Sequence, residues 1–329
     1  MLPAVLITLL QLQLAYTLIF LHSTSCCHHD NSPAFLTSGK EYPTRAPERF
    51  LYPDHPPVPI KAIIFDLDDT LLVDVDVSHE AFHEVAKKAQ SRYGVEPSLF
   101  ISDAKSISQS LWEDGECRSY CESIGISPFE CLWGTFTGGD SSDLNALRKW
   151  AINYRVEVFM KTLNNQVKNG HPEAARFLSD EFAVARRSKQ RLMIGAREVL
   201  LKLACTYDLA LLTNGAPDLQ REKIATSGLE SLFKVVTVSG ELGVGKPHPA
   251  IFHQVLAKLG ISSLSAAVMI GNSLERDIAG ARNTGIRCIW LHVPGAEEYT
   301  LDRTVAPDRV AVSLLDIPAI LSEMGMGNS

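Results

Sequence analysis

The chain lacks a long basic run: Lys and Arg number 31 against 38 Asp and Glu, a formal net charge of -7. Neutralising a nucleic-acid backbone takes clustered cations, so nucleic acid is not an expected partner. Cysteine is sparse as well. The seven residues (Cys26, Cys27, Cys117, Cys121, Cys131, Cys205 and Cys288) are an odd number in 329 positions, which argues against a disulfide scaffold while allowing a single bridge. No Asp, Glu, Lys or Arg precedes Asp30. What is abundant is ordinary: 46% hydrophobic and 21% charged residues exclude disorder as a description of the whole chain. At roughly 150 residues per domain the length predicts one compact unit plus an insertion or second module.

The uncharged stretch is apolar over residues 2–21, about one bilayer thickness of helix. Three readings of the amino-terminal region stand side by side. It is an uncleaved anchor, with Lys40, Arg45 and Arg49 keeping the remainder on the cytoplasmic side. It is a poorly formed secretory signal, short of a basic start and a small-residue cleavage site. Or residues 1–57 are an over-extended reading of a gene whose product opens near Val58. Residues 1–29 are thus set apart as a hydrophobic segment. Residues 30–59, with seven prolines and no apolar period, read as an extended linker. The cluster Cys26, Cys27, His28, His29 and Asp30 lacks well-spaced partners for a metal site.

From residue 60 the pattern changes. Short apolar runs at 61–65, 209–212, 235–238, 267–270 and 286–291 have the length of strands buried on both faces of a parallel sheet. Helical patterns at 197–205, 219–227, 250–259 and 274–282 lie between the later runs. Alternating strand and helix predicts an α/β fold, a doubly wound parallel sheet. In such sheets ligands bind beyond the carboxyl ends of the strands. Those ends carry the chemistry here. The first run stops at Asp66-Leu67-Asp68-Asp69-Thr70, the second at Thr213-Asn214-Gly215, and the fourth at Gly271-Asn272-Ser273 with Asp277 one helical turn beyond. After the third comes Gly243-Val244-Gly245-Lys246-Pro247, an ammonium at a rigid turn. Each element alone is ordinary surface; in this order, each after a buried strand, they suit phosphate chemistry.

In these four motifs the chain, over about residues 60–320, resembles the haloacid dehalogenase superfamily of phosphohydrolases. The branch it resembles has a helical cap and includes phosphoglycolate and N-acylneuraminate-9-phosphate phosphatases. The resemblance implies a Rossmann-like core of residues 60–77 and 191–329 and a cap of residues 78–190. It implies an aspartyl-phosphate mechanism with Mg²⁺ as cofactor. Asp66 would be the nucleophile and Asp68 the acid/base. Thr213, Asn214 and Lys246 would bind phosphate, while Asp66, Asp68 (through its backbone carbonyl), Asn272 and Asp277 would hold the metal. One position departs from the family: Asp is usual at 272, and Asn keeps an oxygen donor but removes a charge.

The long separation of Asp66 from Thr213 leaves room for the cap, with helices expected at 79–92, 143–164 and 173–189 and an aromatic loop at 124–136. Caps of this kind accompany small phosphorylated metabolites, the expected substrate class, with a cytoplasmic catalytic domain. His79-Glu80-Ala81-Phe82-His83 spells a zinc-protease motif, but no third ligand is evident and the reading is an ordinary cap helix. Cys117 and Cys121 are expected as free thiols packed in the cap. A phosphomutase shares the carboxylate pair, and a 2-haloacid dehalogenase of the same fold lacks the second acid. From another class, a membrane-tethered, non-catalytic binding or regulatory protein remains open.

Overall fold

The computed structural model describes residues 58–167, 171–293 and 305–326. The apolar segment 2–21, nearly all of the Pro-rich linker and the Cys26 to Asp30 cluster lie outside them. Among the described residues no helix is long and apolar enough to cross a membrane.

The short apolar runs form one six-stranded parallel sheet. Its strands are β1 (Ala62–Phe65), β2 (Asp208–Thr213), β3 (Val235–Val238), β4 (Ala267–Gly271), β5 (Arg287–Leu291) and β6 (Arg309–Ala311), in the order β3-β2-β1-β4-β5-β6. The order reverses between β1 and β4, which leaves a crevice beyond their carboxyl ends. Phe65 lies opposite both Leu211 and Ile270, so β1, β2 and β4 finish almost level at that crevice.

Alternation along the strands fills two cores, as expected for a sheet covered on both faces. Ile63, Phe65, Leu211, Val268 and Ile270 pack on one side with Val199, Leu200 and Leu203 of α7 (Ala196–Ala204) and with Ile317 and Leu321 of α12 (Ile317–Met326). Ala62, Ile64, Ala210, Leu212 and Met269 pack on the other with Ile251, Phe252, Val255 and Leu256 of α10 (Pro249–Leu259) and with Ala281 of α11 (Ala279–Thr284). Between β2 and β3 runs α8 (Pro217–Ser227), and α9 (Ser239–Leu242) follows β3.

Between β1 and α7 the described residues make six helices: α1 (Val75–Tyr93), α2 (Pro97–Glu113), α3 (Arg118–Ile124), α4 (Pro128–Cys131), α5 (Ser142–Asn164) and α6 (Pro172–Ser188). They build their own core around Phe82, Phe100, Phe159 and Phe182, with the Phe82 and Phe182 ring centroids 4.7 Å apart. Three of these helices match the sequence pattern and three correct it. The α2 segment is rich in serine, a weak helix former, but Glu96 caps it by accepting from the Ser98 and Leu99 amides, and Pro97 sits where its missing N–H costs nothing. The expected aromatic loop contains α3's end and all of α4, the latter opened by a capping box between Ser127 and Glu130. Trp133 and Phe136 of that loop are core residues, while Phe129 reaches the cavity described below. The helix expected at 274–282 begins with a wide π turn, Leu274–Ile278, before α11.

Phe182 is fully buried where α6 meets α1 and α5. Phe182→Ala is expected to lower stability by about 3–5 kcal/mol, as for other large-to-small core changes, read from the shift of the urea unfolding curve.

Candidate active site

Asp66 is the first residue past β1, and its amide still donates to the Ile270 carbonyl of β4 at 3.0 Å. That bond fixes the carboxylate at the sheet edge. Its Oδ1 lies 2.5 Å from Lys246 Nζ, and its Oδ2 accepts from the Thr70 hydroxyl at 3.1 Å. Thr70 is also 3.3 Å from Asn272 Oδ1, so its single proton serves one acceptor at a time, while its oxygen accepts from the Asn272 amide at 3.2 Å. The Trp290 indole donates to the Asn272 carbonyl at 2.8 Å and holds the turn after β4 from the side of β5.

Lys246 is buried and donates to the Leu212 carbonyl at 2.9 Å; Asp277 Oδ1 lies 2.7 Å from its Nζ. Burial alone would strip the ammonium of its proton, but Asp277 and Asp66 outweigh that and hold Lys246 above the ordinary lysine range. Burial likewise pushes the Asp277 carboxyl up to about 6, against the pull of Lys246. Two carboxylates share one ammonium, so the group carries an uncompensated negative charge. Glycine at 271 is a steric requirement: a Cβ there would stand 2.2 Å from Asp277 Oδ2, which accepts from the Ser273 amide at 3.0 Å.

The turn after β2 is tied to the Lys246 loop. Asn214 Nδ2 donates to the Lys246 carbonyl at 2.9 Å and its Oδ1 accepts from the Lys246 amide at 2.8 Å, so its carboxamide holds the two loops together. Thr213 is buried, and its hydroxyl oxygen accepts from Gln220 Nε2 at 2.6 Å. The same Gln220 amide lies 2.8 Å from Asp68 Oδ2, while Asp68 Oδ1 accepts from Lys223 Nζ at 3.0 Å. Burial pushes Asp68 up to about 8, partly offset by Lys223 and reinforced by Asp74 and Glu130. Asp68 thus holds a proton more tightly than a free carboxyl does, with 23% of its side chain open to the cavity side.

A second buried ammonium was not anticipated. Lys223 is 1% exposed and reaches Asp68, Asp74 and Glu130, each at 3.0 Å. Arg186, also buried, pairs with Asp74 and donates to Ser78 Oγ at 3.1 Å. The one signal for it in sequence is that Gln220 and Lys223 share the stripe of α8 that also buries Leu219 and Ile224, polar residues where a helix normally shows its apolar face.

One cavity of about 670 Å³ has Asp66, Asp68, Thr213, Asn214, Lys246, Asn272 and Asp277 all on its wall. Its donors toward a cation are all oxygens: the carboxylates of Asp66 and Asp277, the Asn272 side chain and backbone carbonyls nearby. Asp277 Oδ1 is buried and faces the Lys246 ammonium at 2.7 Å. Carboxylate oxygens that outnumber the one ammonium beside them suit a hard cation such as Mg²⁺. Among the described residues no three His, Cys, Asp or Glu side chains converge as a metal group, and a set completed by an amide, backbone and water does not require them to. In the zinc-protease motif, Glu80 is engaged by Arg191 at 2.8 Å and His79 lies on the cavity wall. Cys117 and Cys121 are free and buried.

A doubly wound sheet thus brings a carboxylate after β1, a hydroxyl at the end of β2 and a buried lysine from the loop after β3 to one cavity wall. The model of the haloacid dehalogenase-like hydrolases matches residues 60–285, and the chain belongs to that family. It is 37% identical to phosphoserine phosphatase of Thermus thermophilus over 233 residues, covering 70% of this chain and 88% of that protein. It is 28% identical to human N-acylneuraminate-9-phosphatase over 268 residues, 80% of this chain and 95% of the other. The magnesium-bound crystal structure of the HAD-hydrolase YfnB from Bacillus subtilis shares the fold at a TM-score of 0.56 and 21% identity, covering 81% of this chain and 100% of that one.

Gly271→Ala is expected to displace the Asp277 carboxylate and lower turnover by at least about tenfold while leaving the far-ultraviolet circular dichroism spectrum unchanged, since the clash is confined to two side groups. Unchanged activity in a folded variant would contradict the geometry given for Asp277.

Proposed function

We propose that the protein hydrolyses a small phosphomonoester, with Mg²⁺, through a phosphoryl-Asp66 intermediate. The observation that carries this reading is the Lys246 ammonium buried between Asp66 and Asp277 at the ends of β1 and β4, where the cavity opens. A carboxylate that must attack an anionic phosphoryl group needs positive charge beside it, and this one has it.

Asp66 attacks phosphorus: a bond forms from its carboxylate oxygen to phosphorus and the ester bond to the alcohol breaks. Asp68, which favours its protonated form, gives its proton to the departing oxygen. As a carboxylate it then takes a proton from a water whose oxygen attacks phosphorus and breaks the bond to Asp66. Inorganic phosphate leaves and both acids are restored. Lys246 and Thr213 hold phosphoryl oxygens, and Asn214 keeps the Thr213 and Lys246 loops at a fixed separation. Asp66, the Asp68 carbonyl, Asn272 and Asp277 would hold Mg²⁺, which supplies charge neutralisation for the phosphoryl oxygens.

Residues 78–190 serve as a cap on a core of residues 60–77 and 191–329, and close the cavity from above with Ser78, His79, Ser127 and Phe129. The confined volume and the phosphatase relatives support a small phosphorylated metabolite as substrate. Asp68 argues against halide release, because a halide departs as a stable anion and needs no proton.

Phosphate release from aryl and metabolite phosphates in the presence of Mg²⁺ tests the reading. Asp66→Asn should abolish turnover and Asp68→Asn should cost about 10²–10⁴-fold, the usual worth of a general acid; near-normal hydrolysis by the Asp66 variant would overturn the mechanism. Asn272→Asp restores a charge beside the metal, so the Mg²⁺ concentration for half-maximal activity should fall. A metal titration with an unchanged midpoint would remove residue 272 from the metal site.

A further inference from the structure

Lys223 gains nothing from its burial unless the groups around it are the purpose. Removing an ammonium and its carboxylates from water is costly, and such clusters are weak sources of stability. The three carboxylates belong to three different stretches. Asp68 lies in the loop after β1, Asp74 immediately before α1 where the chain enters the insertion, and Glu130 in α4 within it. Glu130 is itself fixed, since its Oε2 accepts from the Ser127 amide at 2.9 Å while its Oε1 takes the lysine. On the core side Gln220 holds the second oxygen of Asp68 and links it to Thr213. Each Asp68 oxygen thus accepts one hydrogen bond from the core, and the residue lines the cavity.

The insertion is seated on the core around this point. The Gly245 amide donates to the Ser123 carbonyl at 2.9 Å, and Thr135 Oγ1 and the Thr137 amide donate to Asp218 Oδ2 at 2.6 and 2.8 Å. Lys223 is the contact among these that also touches a residue of the reaction.

We propose that Lys223 is a positioning residue that acts through Asp68, and that its bond to Glu130 makes correct placement of Asp68 conditional on the insertion being seated over the cavity. The proposal rests on the phosphatase reading above. Proton delivery to the leaving group then becomes effective only in the seated state, while attack by Asp66 does not depend on Lys223.

The test compares two esters of similar shape, 2,4-dinitrophenyl phosphate and phenyl phosphate, with the full chain and Mg²⁺. Dinitrophenolate leaves readily without a proton; phenolate does not. Lys223→Met should lower kcat on phenyl phosphate by about 10²-fold, the low end for loss of an aligned general acid, with a much smaller loss on the dinitrophenyl ester and little change in KM. Lys223→Arg, which keeps the charge and the donors, should recover most of the difference. Glu130→Gln keeps the volume and an acceptor for Ser127, and should shift the two esters apart in the same direction by less. It carries the test if the methionine variant does not fold. Equal fractional losses on both esters, a change in KM alone, or no change would overturn the proposal. If the parent protein itself hydrolyses neither ester in an Asp66-dependent way, the phosphatase reading falls first and this inference with it.

Discussion

The site depends on one buried ammonium. Lys246 stands between Asp66 and Asp277 and is held from behind by the Leu212 carbonyl, so three strands converge on one cation. None of these groups could be buried alone: a lone carboxylate would take up a proton and a lone lysine would lose one. Together they reach a charged arrangement that is still short of positive charge. That shortfall of positive charge favours a cation in the site.

Much of this was legible because a parallel sheet writes itself as short apolar runs and puts its chemistry at their ends. All five runs read in sequence became strands, and Asp66, Asp68, Thr213, Asn214, Lys246, Asn272 and Asp277 meet on one cavity wall. β6 escaped notice because three residues carry too little period to stand out. The helices α2 and α4 escaped because their starts are fixed by caps and prolines, and α3 because seven residues carry too short a period.

Lys223 and Glu130 illustrate a different limit. Glu130 is visible in sequence as half of a capping box with Ser127, and that reading is correct, but a capping box says nothing about the second carboxylate oxygen. Lys223 reads as one more charge on a helix. Their meeting depends on how α4 of the insertion lies over α8 of the core, a tertiary relation that neither local pattern encodes. The charges in this second cluster repeat the logic of the first: Asp68, Asp74 and Glu130 face Lys223 and Arg186, and the excess carboxylate is where a proton is most readily kept.

The asparagine at 272 follows from the same balance. Asp66 and Asp277 already outnumber Lys246, and a third carboxylate within reach of Thr70 would add repulsion at the one place where a phosphate must approach. Asn272 keeps the oxygen and, through its backbone, the bonds to Thr70 and Trp290 that fix the turn. Thr70 in turn reaches the second oxygen of Asp66, so the residue that orients that carboxylate also senses position 272. Losing one charge there weakens the pull on a cation and eases the entry of an anion.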